Sequence, residues 1–162
     1  MTRSNIARAG CVLVVLGVAA YPATAAVSSL RNLAGTWSGG GMLSLANGEQ
    51  QPLRCRAAYD VAGRGDAVSL NLRCASDSYN FDLASNVEYR GGAISGQWSE
   101  ATRNAPGTIE GRAAGDHIEA AARGQSFSAD LSLTTRGNRQ TISIRPQGGG
   151  EIRAVSLALE RR

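Results

Sequence analysis

From residue 35 to the C-terminus, apolar and polar positions alternate with a period of two, in short runs separated by Gly-, Asn- and Asp-rich turns. After residue 27 no stretch sustains the 3.6-residue period of an amphipathic helix. The pattern predicts ten strands, near 35–45, 51–61, 67–75, 79–89, 93–101, 106–113, 116–123, 125–134, 139–146 and 152–160. Connections this short favour an antiparallel meander. A sheet of ten strands must close or fold over, because long open edges invite aggregation. The predicted fold is therefore all-β, an antiparallel up-and-down meander of about ten strands closing into a barrel.

One face of these strands is apolar throughout. Leu53, Cys55, Ala57, Tyr59 and Val61 share a side, opposite Arg54, Arg56 and Asp60. Val68, Leu70, Leu72 and Cys74 share the next, opposite Ser69, Asn71 and Arg73. If Cys55 faces Cys74, the same antiparallel register sets Ala57 against Leu72, Tyr59 against Leu70 and Val61 against Val68, with the turn at Gly63-Arg64-Gly65-Asp66. Pattern, turn and cysteine spacing agree on one register and predict a Cys55–Cys74 disulfide.

The same inward face continues through Tyr79, Phe81, Leu83 and Val87, then Ile94, Gly96 and Trp98, then Ile118 and Ala120, then Phe127, Ala129, Leu131 and Leu133. Near the C-terminus Ile142 and Ile144 keep phase, but Ile152 is out of step with Val155, Leu157 and Leu159. A bulge near Arg153-Ala154 would reconcile them. The run Leu33 to Gly39 echoes Ile94 to Glu100. With no further repeat at a fixed period, this reads as two strands meeting one packing need rather than a duplication.

The N-terminus changes the picture of the whole chain. Arg3 and Arg8 precede an apolar run from Cys11 to Ala20, and small residues follow at Ala23-Thr24-Ala25-Ala26. This is the layout of a secretory signal, here residues 1–26, with too short an apolar run to span a bilayer. Cys11 lies before the apolar run ends, not after it as a lipidated cysteine would. The expected mature domain, 27–162, is periplasmic or secreted, without a membrane span after cleavage. All 17 basic residues are Arg; two lie in the leader, leaving 15 against 13 acids. They are scattered over polar faces, without the basic stripe and interleaved aromatics of a nucleic-acid binder. Two cysteines remain in an oxidising route, where pairing is the default over a metal site.

Candidates for catalysis are few, and the reading is of a protein that is not an enzyme. The lone histidine, His117, points by alternation to the polar face, as do Asp60, Asp82, Glu88, Glu110, Glu119 and Asp130. Glu100 shares the inward parity of Trp98, and its place at a strand end predicts a rim position. One carboxylate does not make an acid–base pair. Neither Gly39-Gly40-Gly41 nor Gly148-Gly149-Gly150 precedes a helix with a Lys-Ser/Thr pair, so neither reads as a phosphate loop. What remains is a set of inward rings, Trp37, Tyr59, Phe81, Trp98 and Phe127, interspersed with Gly39, Gly41, Gly96, Gly111, Ala113, Ala120 and Ala129. The rings are the candidate binding residues. The small residues are expected to leave room between Trp37 and Trp98 for an apolar ligand, with Tyr hydroxyls as polar anchors. No cofactor or metal is called for.

Two resemblances bear on this. Leu33-Ala34-Gly35-Thr36-Trp37 resembles the opening strand of lipocalin-like (calycin) barrels, including the ten-stranded nitrobindin type. The resemblance implies that Gly35 and Trp37 are structural and that Trp37 closes the barrel floor beneath a ligand. Ser28-Ser29-Leu30-Arg31 before the same Leu-x-Gly-x-Trp is also similar to small periplasmic inhibitors of secreted metalloproteases. There it implies that Ser28, Ser29 and Leu30 form a trunk entering a protease cleft. The expected function is an exported barrel binding an apolar small molecule or lipid-like envelope component; the alternative is a protein-binding protease inhibitor.

Overall fold

A computed structural model describes residues 29–162. The signal segment 1–26, with Cys11, and residue Ser28 lie outside the described residues. A 3₁₀ helix, Ser29–Leu33, leads into ten strands. These are β1 (Gly35–Leu45), β2 (Gln50–Ala62), β3 (Ala67–Ala75), β4 (Asn80–Arg90), β5 (Ala93–Glu100), β6 (Ala105–Ala114), β7 (His117–Gly124), β8 (Ser128–Arg136), β9 (Arg139–Gln147) and β10 (Ile152–Arg161). Each pairs antiparallel with its neighbours in sequence, and β1 also pairs with β10, so the meander closes into a barrel with no free edge. Closure satisfies the backbone groups that an edge strand would leave exposed.

The register follows the predicted one. Cys55 stands opposite Cys74, Ala57 opposite Leu72, Tyr59 opposite Leu70 and Val61 opposite Val68. Cys55 and Cys74 are disulfide-bonded on the inner wall. The phase slip near the C-terminus is a bulge at Arg153: Ser44 pairs with Ala154, but Leu45 pairs with Ile152. Outward positions on β2 and β3, among them Arg54, Arg56, Asp60, Ser69, Asn71 and Arg73, are exposed. That is the reverse of a membrane-spanning barrel, whose outer band is apolar.

The two ends of the barrel differ. At one end the 3₁₀ helix packs Leu30 and Leu33 beneath the strands, where both are buried with Trp37, Leu43 and Leu159. The Trp37 indole N–H donates to the Leu33 carbonyl at 2.7 Å, and the Arg161 guanidinium lies 4.5 Å over the ring. Arg161 also donates to the carbonyls of Ala34 and Asn32, tying the last strand to the entry of the first. Trp37 thus sits in the floor, as the lipocalin-like resemblance implies. The other end carries the β1–β2, β3–β4, β5–β6, β7–β8 and β9–β10 turns, and no helix covers it among the described residues.

Candidate ligand-binding cavity

The buried apolar residues fall into two groups instead of one contiguous core. The larger includes Trp37, Leu43, Tyr59 and Leu159 around the floor; the smaller is Trp98, Ala105 and Ala122 with Ile109 and Leu131 on one wall. A cavity of about 410 Å³ lies toward the open end, lined by Leu70, Leu72, Leu83, Trp98, Leu131 and Leu157 among others. Ligand pockets of small-molecule binders fall in this size range. A larger hollow of about 1090 Å³ is a trough on the outer wall beside Arg54, Arg56 and Arg73, not an enclosed space.

Of the five predicted binding residues, the cavity gathers Phe81, Trp98 and Phe127. Phe127 precedes β8 instead of belonging to it, and stands half-exposed at the mouth, edge-on to Trp98 with 5.8 Å between ring centroids. Phe81 opens β4 at the mouth and stacks on Tyr79 at 6.4 Å. Trp37 and Tyr59 do not line the cavity. Trp37 is in the floor. The Tyr59 hydroxyl donates to Gln140 Oε1 at 2.9 Å, and Gln140 Nε2 donates to Thr135 Oγ1 at 3.2 Å. All three residues are buried, and burial pushes the Tyr59 phenol well above the usual tyrosine range, with the Gln140 bond opposing only in part. The expected Tyr anchor is therefore spent inside the floor.

Of the small residues expected to leave room, Ala129 lines the cavity, whereas Gly39, Gly41, Gly96, Gly111, Ala113 and Ala120 do not, and two further glycines serve Trp98 instead. A Cβ on Gly107 would stand 2.6 Å from the indole Cε2 and Nε1, and one on Gly124 would stand 3.0 Å from Cζ2. Those glycines hold the tryptophan against the wall. The ring is pinned further by its N–H, which donates to the Thr108 carbonyl at 3.0 Å. Small side chains do line the cavity at Ala122 and Ala129, which pair across β7 and β8.

The mouth also holds polar groups. Glu100 is both at the rim and buried, where a rim position alone was expected. Its oxygens accept from the Asp82 N–H (2.8 Å), the Thr102 hydroxyl (2.8 and 2.9 Å) and the Arg103 N–H (2.8 Å), and Arg103 pairs with it at 3.4 Å. Burial works to raise its pKa, but these hydrogen bonds outweigh burial and hold the carboxyl below its ordinary value. Arg103 lies over the Phe81 ring at 4.9 Å. Deeper in, Ser85 is 7 % exposed and faces the cavity between Leu70 and Trp98, and its side chain makes no hydrogen bond among the described residues. The inward parity of Ser85 with Phe81 and Leu83 was readable in sequence; the place of Arg103, in a turn, was not. His117 lies on the polar side, paired with Thr134 and Glu119. Leu30, expected in a protein-binding trunk, is 1 % exposed and belongs to the core.

No protein-family model and no curated protein matches the chain. Among solved structures, Rv2717c from M. tuberculosis is similar with a TM-score of 0.67 at 14% identity, over 85% of this chain and 97% of that one. The S-type phycobiliprotein lyase CPES from Guillardia theta is similar with a TM-score of 0.59 at 10% identity, over 82% of this chain and 89% of that one. At these identities what the chain shares with both is the barrel fold.

Proposed function

We propose that this protein is an exported soluble binding barrel that holds an apolar small molecule or a lipid-like envelope component. The observation that carries the reading is the cavity itself, about 410 Å³, walled by aliphatic side chains and three aromatic rings and placed at the end that no helix covers among the described residues. Apolar surface facing empty space forfeits both dispersion contacts and transfer energy, so a core kept hollow this way gains stability when an apolar molecule fills it. The secretory pattern at residues 1–26 and the Cys55–Cys74 bond support a periplasmic or secreted location. Against the protease-inhibitor alternative stands Leu30, which is committed to the floor.

The test is a titration of the purified protein with an acyl-chain or polyaromatic probe, followed by tryptophan fluorescence. The expected result is saturable binding with a spectral change that disappears in Trp98→Phe and persists in Trp37→Phe. Absence of binding below about 1 mM, equivalent to about 4 kcal/mol, overturns the reading.

A further inference from the structure

Ser85 and Arg103 give the cavity a chemistry that an aliphatic wall alone would not need. The Ser85 side chain faces the cavity and makes no hydrogen bond among the described residues, so its hydroxyl is open to bond whatever fills that space. Ser85 stands in β4 four residues in from Phe81, a separation of about 13 Å along the strand. At the Phe81 end, Arg103 uses Nη1 for the Asn80 carbonyl, the Thr102 hydroxyl and Glu100. Its Nε and Nη2 donate to no described residue, and the side chain is about half exposed. Glu100 lines the same mouth, but its oxygens already accept four hydrogen bonds within the β5–β6 turn and from the Asp82 N–H. What an incoming molecule meets is therefore donors at the mouth and an apolar passage with one hydroxyl part-way along its wall.

We infer that the ligand is a long-chain carboxylic acid bearing a hydroxyl or oxo group in mid-chain: its carboxylate lies against Nε and Nη2 of Arg103, and its in-chain oxygen bonds Ser85. This rests on the ligand-binding reading above and names the ligand class for it. The charged end stays at the half-exposed rim, where it keeps part of its hydration, and the Ser85 hydroxyl gains a protein-bound partner out of competition with water. A plain hydrocarbon would leave Ser85 unpaired, and so bind less well than its length predicts.

The experiment is displacement of a fluorescent polyene fatty acid by stearate, 12-hydroxystearate and the methyl ester of 12-hydroxystearate. With the unaltered protein, 12-hydroxystearate is expected to displace the probe at about one-tenth the concentration of stearate, the worth of one buried hydrogen bond. Ser85→Ala should bring the two acids to the same concentration while the polyene still binds. Arg103→Gln should weaken both acids toward the ester and keep the hydroxyl preference. A preference that is absent, or that survives Ser85→Ala, overturns the inference and leaves the ligand-binding reading standing. If the polyene itself fails to bind, the reading falls and the inference with it.

Discussion

The floor network of Tyr59, Gln140 and Thr135 is open to a double-mutant cycle that separates a structural role from a ligand-anchoring one. Gln140 is fully buried and joins the Tyr59 hydroxyl at 2.9 Å to the Thr135 hydroxyl at 3.2 Å. Gln140→Leu strands both hydroxyls, each at about 1–3 kcal/mol, and the leucine recovers part of this through apolar burial. We expect a net loss of about 2–3 kcal/mol, or about 10 °C in Tm for a barrel of this size. Tyr59→Phe strands only the Gln140 oxygen and should cost about 1–2 kcal/mol. In the double variant the donor and the acceptor are gone together, so the loss should fall short of the sum by about 1–2 kcal/mol. Urea unfolding followed by circular dichroism measures all three, and polyene binding to Tyr59→Phe should match the parent. Additivity within about 0.5 kcal/mol, or loss of binding in Tyr59→Phe, would refute the reasoning. The network also has a pH signature. The phenol's pKa is raised on folding, so its stabilising share is whole below the unfolded tyrosine value of 10.0 and is lost as pH rises above it. Stability should therefore fall in that alkaline range, and fall less in Tyr59→Phe.

Three further outcomes are expected. The unreduced, unfolded protein should show no reactive thiol from Cys55 or Cys74, and Cys55→Ala/Cys74→Ala should lose about 3 kcal/mol, since the bond closes a loop with a sequence separation of 19; a chemical denaturation midpoint unmoved by the substitutions would contradict this. Gly107→Val should drive a side chain into the Trp98 indole and the Arg123 carbonyl, costing about 1–3 kcal/mol and shifting tryptophan emission, whereas unchanged emission would show that the ring is not held there. His117→Ala should change stability by no more than about 0.5 kcal/mol, because its bonds to Thr134 and Glu119 lie on the water-facing side; thermal unfolding would reveal a larger loss.

Sequence alone determined the strands, their register and the fold class. Alternation is a local property of the pleat, a one-residue slip would expose a whole apolar face, and the paired parity of Cys55 and Cys74 selects one pairing. The bulge at Arg153 was legible for the same reason, as a break in phase. Parity says which side of the sheet a residue faces, but not how far along the barrel axis it sits or what stands across from it. Hence Trp37 and Tyr59 share an inward face with Phe81 and Trp98, yet the first two close the floor and the second pair lines the cavity. Only closure of β1 on β10 decided that, together with the tilt that brings Gln140 to a tyrosine 81 residues away in sequence. The glycines beside Trp98 carry the same lesson. A missing side chain is visible in sequence, but whether the vacated volume is filled by an indole or left for a ligand depends on three strands meeting at once.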